Sequence, residues 1–213
     1  MTDVWPFVRQ ERLALLADLE PLTPERWEEP SLCAGWSVHD VLAHLVDVAR
    51  TSVPRFVLTM ARARFDFDRQ NQDGVDRERG ATPAQTLARW RAVADLRRSP
   101  PAPRVTRVVE EIVHGEDVRR PLGITRAYDA GAVADAFGWQ VRTSESMGGT
   151  RRTLAGLRLV ATDTDLVHGE GPRVEGRALD LLLVSAGRTV VLDDLSGPGV
   201  STLRERFRPP RSP

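Results

Sequence analysis

Apolar residues recur at helical spacing through most of the chain up to about residue 146, and the breaks between these runs define the elements. Trp5, Val8, Leu15, Leu16 and Leu19 mark one face of a first helix over about 3–20, with Pro21 helping to end it. Thr23 and Pro24 then supply a cap and a first-turn proline, so LTPERW predicts a short helical turn that seats Trp27. EEPSLCAGW reads as a surface loop. Ser37 opens a second helix, Asp40 stands where a capping box needs it, and Val38, Val41, Leu42, Leu45 and Val48 form the buried face. This helix is expected to continue to about Arg64, with a kink or break near Pro54. Residues 65–81, FDFDRQNQDGVDRERGA, are polar and read as a connection over one end of a bundle. Thr82 and Pro83 open a third helix through Leu87, Trp90, Val93, Ala94 and Leu96, which SPPAP stops. A fourth helix spans about 104–119, before Pro121, and a fifth about 129–146.

The tail has a different rhythm. LAGLRLVATDTD alternates in part like a strand, LVHGEGPRVEG like a second strand or hairpin arm, and ALDLLLVSAGR like a helix closed by Gly187. TVVLDDLSGPG predicts another short extended piece and VSTLRERF a final helix, with RPPRSP disordered at the end. The fold class expected is therefore mainly α with a small α+β part. A four-helix bundle domain over 1–146 is followed by a small α+β domain over 147–213, the boundary falling at Met147-Gly148-Gly149.

With 30 basic and 30 acidic residues the net charge is zero, so composition offers no general attraction to nucleic acid or an anionic membrane. All the basic residues are arginine, which fits the codon bias of a high-GC genome and makes arginine abundance uninformative about sites. One cysteine, Cys33, excludes an intramolecular disulfide framework and fits a reducing compartment. The N-terminal stretch lacks the pattern of a signal peptide, and no apolar run approaches membrane length. A cytoplasmic protein with small-molecule partners is expected.

Glu110 and His114 lie one helical turn apart, so both side chains can reach one ion. Glu111 is the rival carboxylate; Arg104, Arg107 and Glu111 are expected on the water side, which favours Glu110 on helical phase. His44 sits at the edge of the second helix's buried face, where it reads either as a hydrogen-bonded core histidine or as a ligand. Together His44, Glu110 and His114 would offer two imidazoles and one carboxylate, with a coordination position left open for water or substrate. Zinc is the natural first choice for such a set, and nickel, iron and manganese remain open. Asp117 and Asp47, each three residues after a candidate histidine, read either as hydrogen-bond acceptors for the imidazoles or as ion-pair partners of nearby arginines. Cys33 is expected to be structural, with no histidine nearby, and Trp36 to staple the start of the second helix; His39 and His168 are expected at the surface.

SLCAGWSVHDVLAHL followed by EEIVHGEDVRRPLG resembles the mycothiol-dependent maleylpyruvate isomerase family, a branch of the DinB-like metal-binding bundles. The resemblance runs across most of residues 3–207 and takes in FDFDRQNQ, GPRVEGRALDLLLVSAGR and LSGPGV. It implies an N-terminal four-helix bundle that holds a divalent metal through a histidine on the second helix and a Glu-x-x-x-His on the fourth, positions that match His44, Glu110 and His114. It also implies mycothiol, the low-molecular-weight thiol of actinobacteria, as cosubstrate for an isomerase or thiol transferase. The family's isomerase uses an arginine from its C-terminal domain; no motif assigns it here, and Arg204 and Arg206 are the candidates. A metal-binding bundle without thiol chemistry, with a stress-related or structural role, is the alternative.

Overall fold

A computed structural model describes residues 3–208, so the RPPRSP tail from Pro209 onward lies outside the described residues. The chain forms two compact units that divide between Ala127 and Tyr128. The first unit holds α1 (Trp5–Leu19), α2 (Pro24–Trp27), α3 (Val38–Arg50), α4 (Val53–Arg62), α5 (Phe67–Glu78), α6 (Pro83–Val93) and α7 (Val105–Arg119). Four of these close a ring, with α1 against α6, α6 against α3, α3 against α7 and α7 against α1. Leu15, Leu19, Val41, Leu42, Leu45, Trp90 and Val118 fill one core, to which Trp27 adds its ring. That is the expected bundle.

The polar run 65–81 is not a loop. Asp66 caps α5 by accepting from the Arg69 N–H, and the helix lies along α3. Its buried face is Gln70, Gly74, Val75 and Glu78, so only one of the four residues advertises burial by hydrophobicity. Gly74 permits the close approach, since a Cβ there would lie 2.7 Å from Asp47 Oδ2. The buried acids are neutralised instead of avoided: Asp47 accepts from Arg55 and Arg77, and Glu78 from Arg50 and Arg55. Near Pro54 the chain breaks, as expected, into α3 and α4, with Thr51 extended between them.

Helix α7 departs from its expected phase. Arg107 and Glu111, assigned to the water side, are buried together with Val108, Ile112 and Val113. The reason lies on α1, where the buried Arg12 donates from Nε to Glu111 Oε1 at 2.7 Å and from Nη1 to the carbonyls of Val93 and Leu96. A pair across the core holds Glu111 inward, while Arg107 is met by the Val48 carbonyl and Glu110.

The second unit contains α8 (Ala130–Gln140), α9 (Arg151–Leu154), β1 (Arg158–Ala161), β2 (Val167–His168), β3 (Arg173–Gly176), α10 (Ala178–Ser185) and α11 (Gly199–Phe207). Its sheet order is β2-β1-β3, antiparallel on one side of β1 and parallel on the other, with Leu159 opposite both His168 and Val174. Buried Leu159, Ala161, Val174 and Gly176 alternate with more exposed neighbours, and α10 packs on the sheet. The boundary expected at Met147 lies earlier because α8 packs against α10, and so belongs with the tail. TVVLDDLSGPG is not extended either: residues 189–193 form a 3-10 turn, and only Ser196 pairs with Glu175. Adjacent Val191 and Leu192 are both buried within that turn. No helix among the described residues is long and apolar enough to cross a membrane.

Removing one partner of the Arg12–Glu111 pair strands a buried charge. Glu111→Ala is expected to cost about 3–5 kcal/mol in chemical denaturation, whereas Arg9→Ala, which breaks an exposed pair with Asp95, should cost at most about 1 kcal/mol. Equal small losses would contradict the packing of α7.

Candidate metal centre

The loop ahead of α3 brings Cys33 to α7 and Trp36 to His44. Gly35, at a φ of +80°, turns it tightly, and Ser31 closes it with a backbone bond to Trp36 and a second from its hydroxyl. The Leu32 N–H donates to the Asp117 carbonyl at 3.1 Å and ties the loop to α7. Ser37 and Asp40 then form the expected capping box, and Arg79 braces Asp40 and Glu28 from the end of α5. Two turns into α3, His44 faces α7.

There the structure brings His44, Glu110 and His114 together. Glu110 Oε2 lies 3.2 Å from His114 Nε2 and 3.7 Å from His44 Nε2, and the two imidazoles meet edge to face with centroids 4.8 Å apart. All three donor atoms fall within 4.8 Å of one another. Trp36 tilts over His44, centroids 5.1 Å apart, while its indole N–H donates to Gln72 of α5. It is a wall of the site, where a staple had been expected. The side chains of Glu110 and His114 are 26% and 16% exposed against 7% for His44, so the cluster opens on the α7 side.

Behind His114 stands the fully buried Asp117. Its Oδ2 accepts from His114 Nδ1 at 2.9 Å and from the Cys33 thiol at 3.0 Å, so of the two roles weighed for Asp117 the imidazole acceptor is the one observed. Arg119 pairs with Asp18 and Arg120 with Glu116. The expectation that Cys33 has no histidine nearby fails, because its sulfur lies 3.7 Å from His114 Nδ1. No spacing in the sequence announces this contact, which accompanies the Leu32–Asp117 bond and the Cys33 thiol's own bond to Asp117. Asp47 takes the ion-pair role, with Arg55 and Arg77. His39 is buried, not exposed, and its Nε2 meets the Thr86 hydroxyl at 2.7 Å. His168 is half-buried, edge-on to Phe137 in the second unit, where Arg204 binds Asp193 and Arg206 the carbonyls of Thr153 and Ala155.

Electrostatics separates the two histidines. Burial pushes His44 below the ordinary imidazole range, and neighbouring Glu110 offsets only part of that. Burial acts on His114 in the same direction, but Asp117, Cys33 and the neighbouring Glu110 carboxylate outweigh it and hold the group well above its usual value. For Glu110 burial alone would raise the pKa; His114, His44 and Arg107 outweigh it and keep the carboxylate ionised.

Two overlapping sets of donors share His114. Cys33, His114 and Asp117 also bring ligand atoms within 4.8 Å, yet Asp117 Oδ2 there already accepts two hydrogen bonds. In the other set Glu110 Oε2 is buried and has no hydrogen-bond partner among the described residues, although it sits between two imidazole nitrogens. An acceptor left so between two further donor atoms fits a cation.

Residues 8–130 match the family described as the mycothiol maleylpyruvate isomerase N-terminal domain. The chain belongs to the mycothiol maleylpyruvate isomerase family. Its fold is also that of a crystal structure of the mycothiol-dependent maleylpyruvate isomerase, at a TM-score of 0.65 and 14% identity over 98% of this chain and 94% of that one. A crystal structure of a histidine-to-alanine mutant of the mycothiol-dependent maleylpyruvate isomerase gives a TM-score of 0.64 at 13% identity, with the same coverage. A comparison with curated proteins found no match. The family match covers α7 and its Glu-x-x-x-His, and the structural likeness extends the isomerase fold through the second unit.

In chelator-treated protein His114 is expected to titrate above the ordinary histidine range and His44 below it, read by pH-resolved NMR of the imidazoles. Asp117→Asn should lower the His114 value, since a neutral amide no longer stabilises the imidazolium. A raised folded value means that the stability contributed by His114 is complete below its ordinary pKa and is lost as pH rises through the folded one. A His114 that titrates at or below its ordinary value would contradict the Asp117 contact.

Proposed function

We propose that this chain is a divalent-metal-dependent enzyme that uses mycothiol to isomerise, or to transfer a thiol to, a small electrophilic substrate, with His44, Glu110 and His114 as metal ligands. The observation that carries the reading is the unbonded Glu110 Oε2 between the Nε2 atoms of two histidines. Zinc remains the first choice for two nitrogens and an oxygen. A bound divalent ion would supply Lewis acidity, lowering the pKa of a thiol so that thiolate exists near neutral pH and polarising a substrate carbonyl.

The chain's own groups do the rest. Asp117 holds the proton on His114 Nδ1, so Nε2, beside Glu110, is the nitrogen that would give up its proton to bind the ion. Burial keeps His44 neutral, as a ligand must be. Trp36 covers the His44 ring and excludes water from that side. The greater exposure of Glu110 and His114 leaves the α7 side as the approach for thiol and electrophile. The single cysteine accords with a reducing, cytoplasmic setting.

Two experiments test the reading. His44→Ala and His114→Ala should each weaken metal binding by on the order of 100-fold or more, beyond what loss of an outer partner costs. His39→Ala should leave metal content unchanged even though it removes a buried hydrogen bond, and Glu110→Gln should lose metal where Glu111→Gln keeps it. Equal retention in all of them would overturn the ligand set. Turnover of maleylpyruvate or a related electrophile should require mycothiol and disappear with the metal; a stoichiometric metal without any thiol-dependent turnover would leave a non-catalytic metal-binding bundle.

A further inference from the structure

Arg107 is a buried charge beside the site that the mechanism does not use. It is 4% exposed, and its guanidinium carries five N–H donors and no acceptor. Nη1 reaches the Val48 carbonyl at 3.5 Å, Nη2 lies 3.6 Å from Glu110 Oε1, and Nε has no hydrogen-bond partner among the described residues. A buried cation with donors this poorly met needs an anion nearby. Of the two carboxylates adjacent to it, Glu111 is already engaged at 2.7 Å by Arg12, which leaves Glu110.

The oxygens of Glu110 are correspondingly divided. Oε2 points to His44 and His114, and Oε1 to Arg107 one turn back on the same helix. We propose that Arg107 is a positioning residue that takes Oε1 of Glu110 and so leaves the metal a single carboxylate oxygen. The inference rests on the metal reading given above. A movement of about 0.7 Å converts the 3.6 Å approach into a charge-assisted hydrogen bond. A carboxylate free to give both oxygens would fill two coordination positions. Held by Arg107 it fills one, which preserves room on the ion for a thiol sulfur and a substrate oxygen.

Cobalt(II) reports this directly, because its visible d–d bands weaken and shift as the coordination number rises. Cobalt-loaded wild-type protein should give the intense bands of low coordination. Arg107→Met, loaded to the same stoichiometry and shown by circular dichroism to be folded, should give weaker, shifted bands as Glu110 turns both oxygens to the ion. Arg107→Gln keeps an amide donor for the Val48 carbonyl and should shift in the same direction, which keeps the test open if Arg107→Met fails to fold. A role in packing alone would alter the melting curve and leave the spectrum in place. Spectra of folded, cobalt-loaded variants that superimpose on wild type would overturn this inference and leave the metal reading intact. Wild-type protein that takes up no cobalt would overturn the metal reading and this inference with it.

Discussion

Helix α7 carries Arg107, Glu111, Glu116, Asp117 and Arg119 through the interior of the first unit, and each of these buried charges has to find a partner or a hydrogen bond. Much of the architecture around the site can be traced to that requirement. Glu111 is met by Arg12 from α1, Arg119 by Asp18 from the same helix, Glu116 by Arg120, and Asp117 by His114 and by the loop that carries Cys33. Glu110 Oε2 is buried without a hydrogen bond among the described residues, as is Arg107 Nε, and what surrounds the oxygen is two imidazole nitrogens. Such an arrangement is costly as a purely structural feature and becomes favourable once a cation completes it.

The same requirement explains the loop before α3. Pinning Leu32 to the Asp117 carbonyl brings the thiol to the carboxylate and places Trp36 over His44, so one backbone bond couples the start of α3 to His114 on α7. The capping box at Ser37 fixes where α3 begins and therefore the direction in which His44 points two turns later. Sequence-local chemistry and long-range pairing meet at that point.

How much of this could be read from the chain depended on whether burial was signalled by hydrophobicity. Helices α1, α3, α6 and α7 carry apolar stripes, α3 and α6 with side-chain caps from Ser37 and Thr82, and their bundle follows from them. Glu110 could be preferred over Glu111 for facing the histidine, but the argument used, that Glu111 faces water, is wrong: Glu111 is buried in a pair whose partner, Arg12, lies far away in sequence. Helix α5 was missed because its buried face is a glutamine, a glycine, a valine and an ion-paired glutamate, a pattern indistinguishable from a polar loop until Asp47 and the arginines around it are in place. His39 and Cys33 were misread for the same cause, since Thr86 and Asp117 reach them only through the fold. In the second unit the strands alternate and were legible, whereas the adjacent buried pair Val191 and Leu192 looked like strand by composition and proved to be a turn.

The account turns on which atoms hold an ion, and anomalous diffraction from crystals grown with zinc addresses that without passing through activity. It predicts a peak bonded to His44 Nε2, Glu110 Oε2 and His114 Nε2 at about 2.0–2.2 Å, with the Asp117–His114 hydrogen bond intact behind it. A peak on the other face of His114, held by Nδ1 with Cys33 and Asp117, or no peak from protein saturated with zinc, would contradict it.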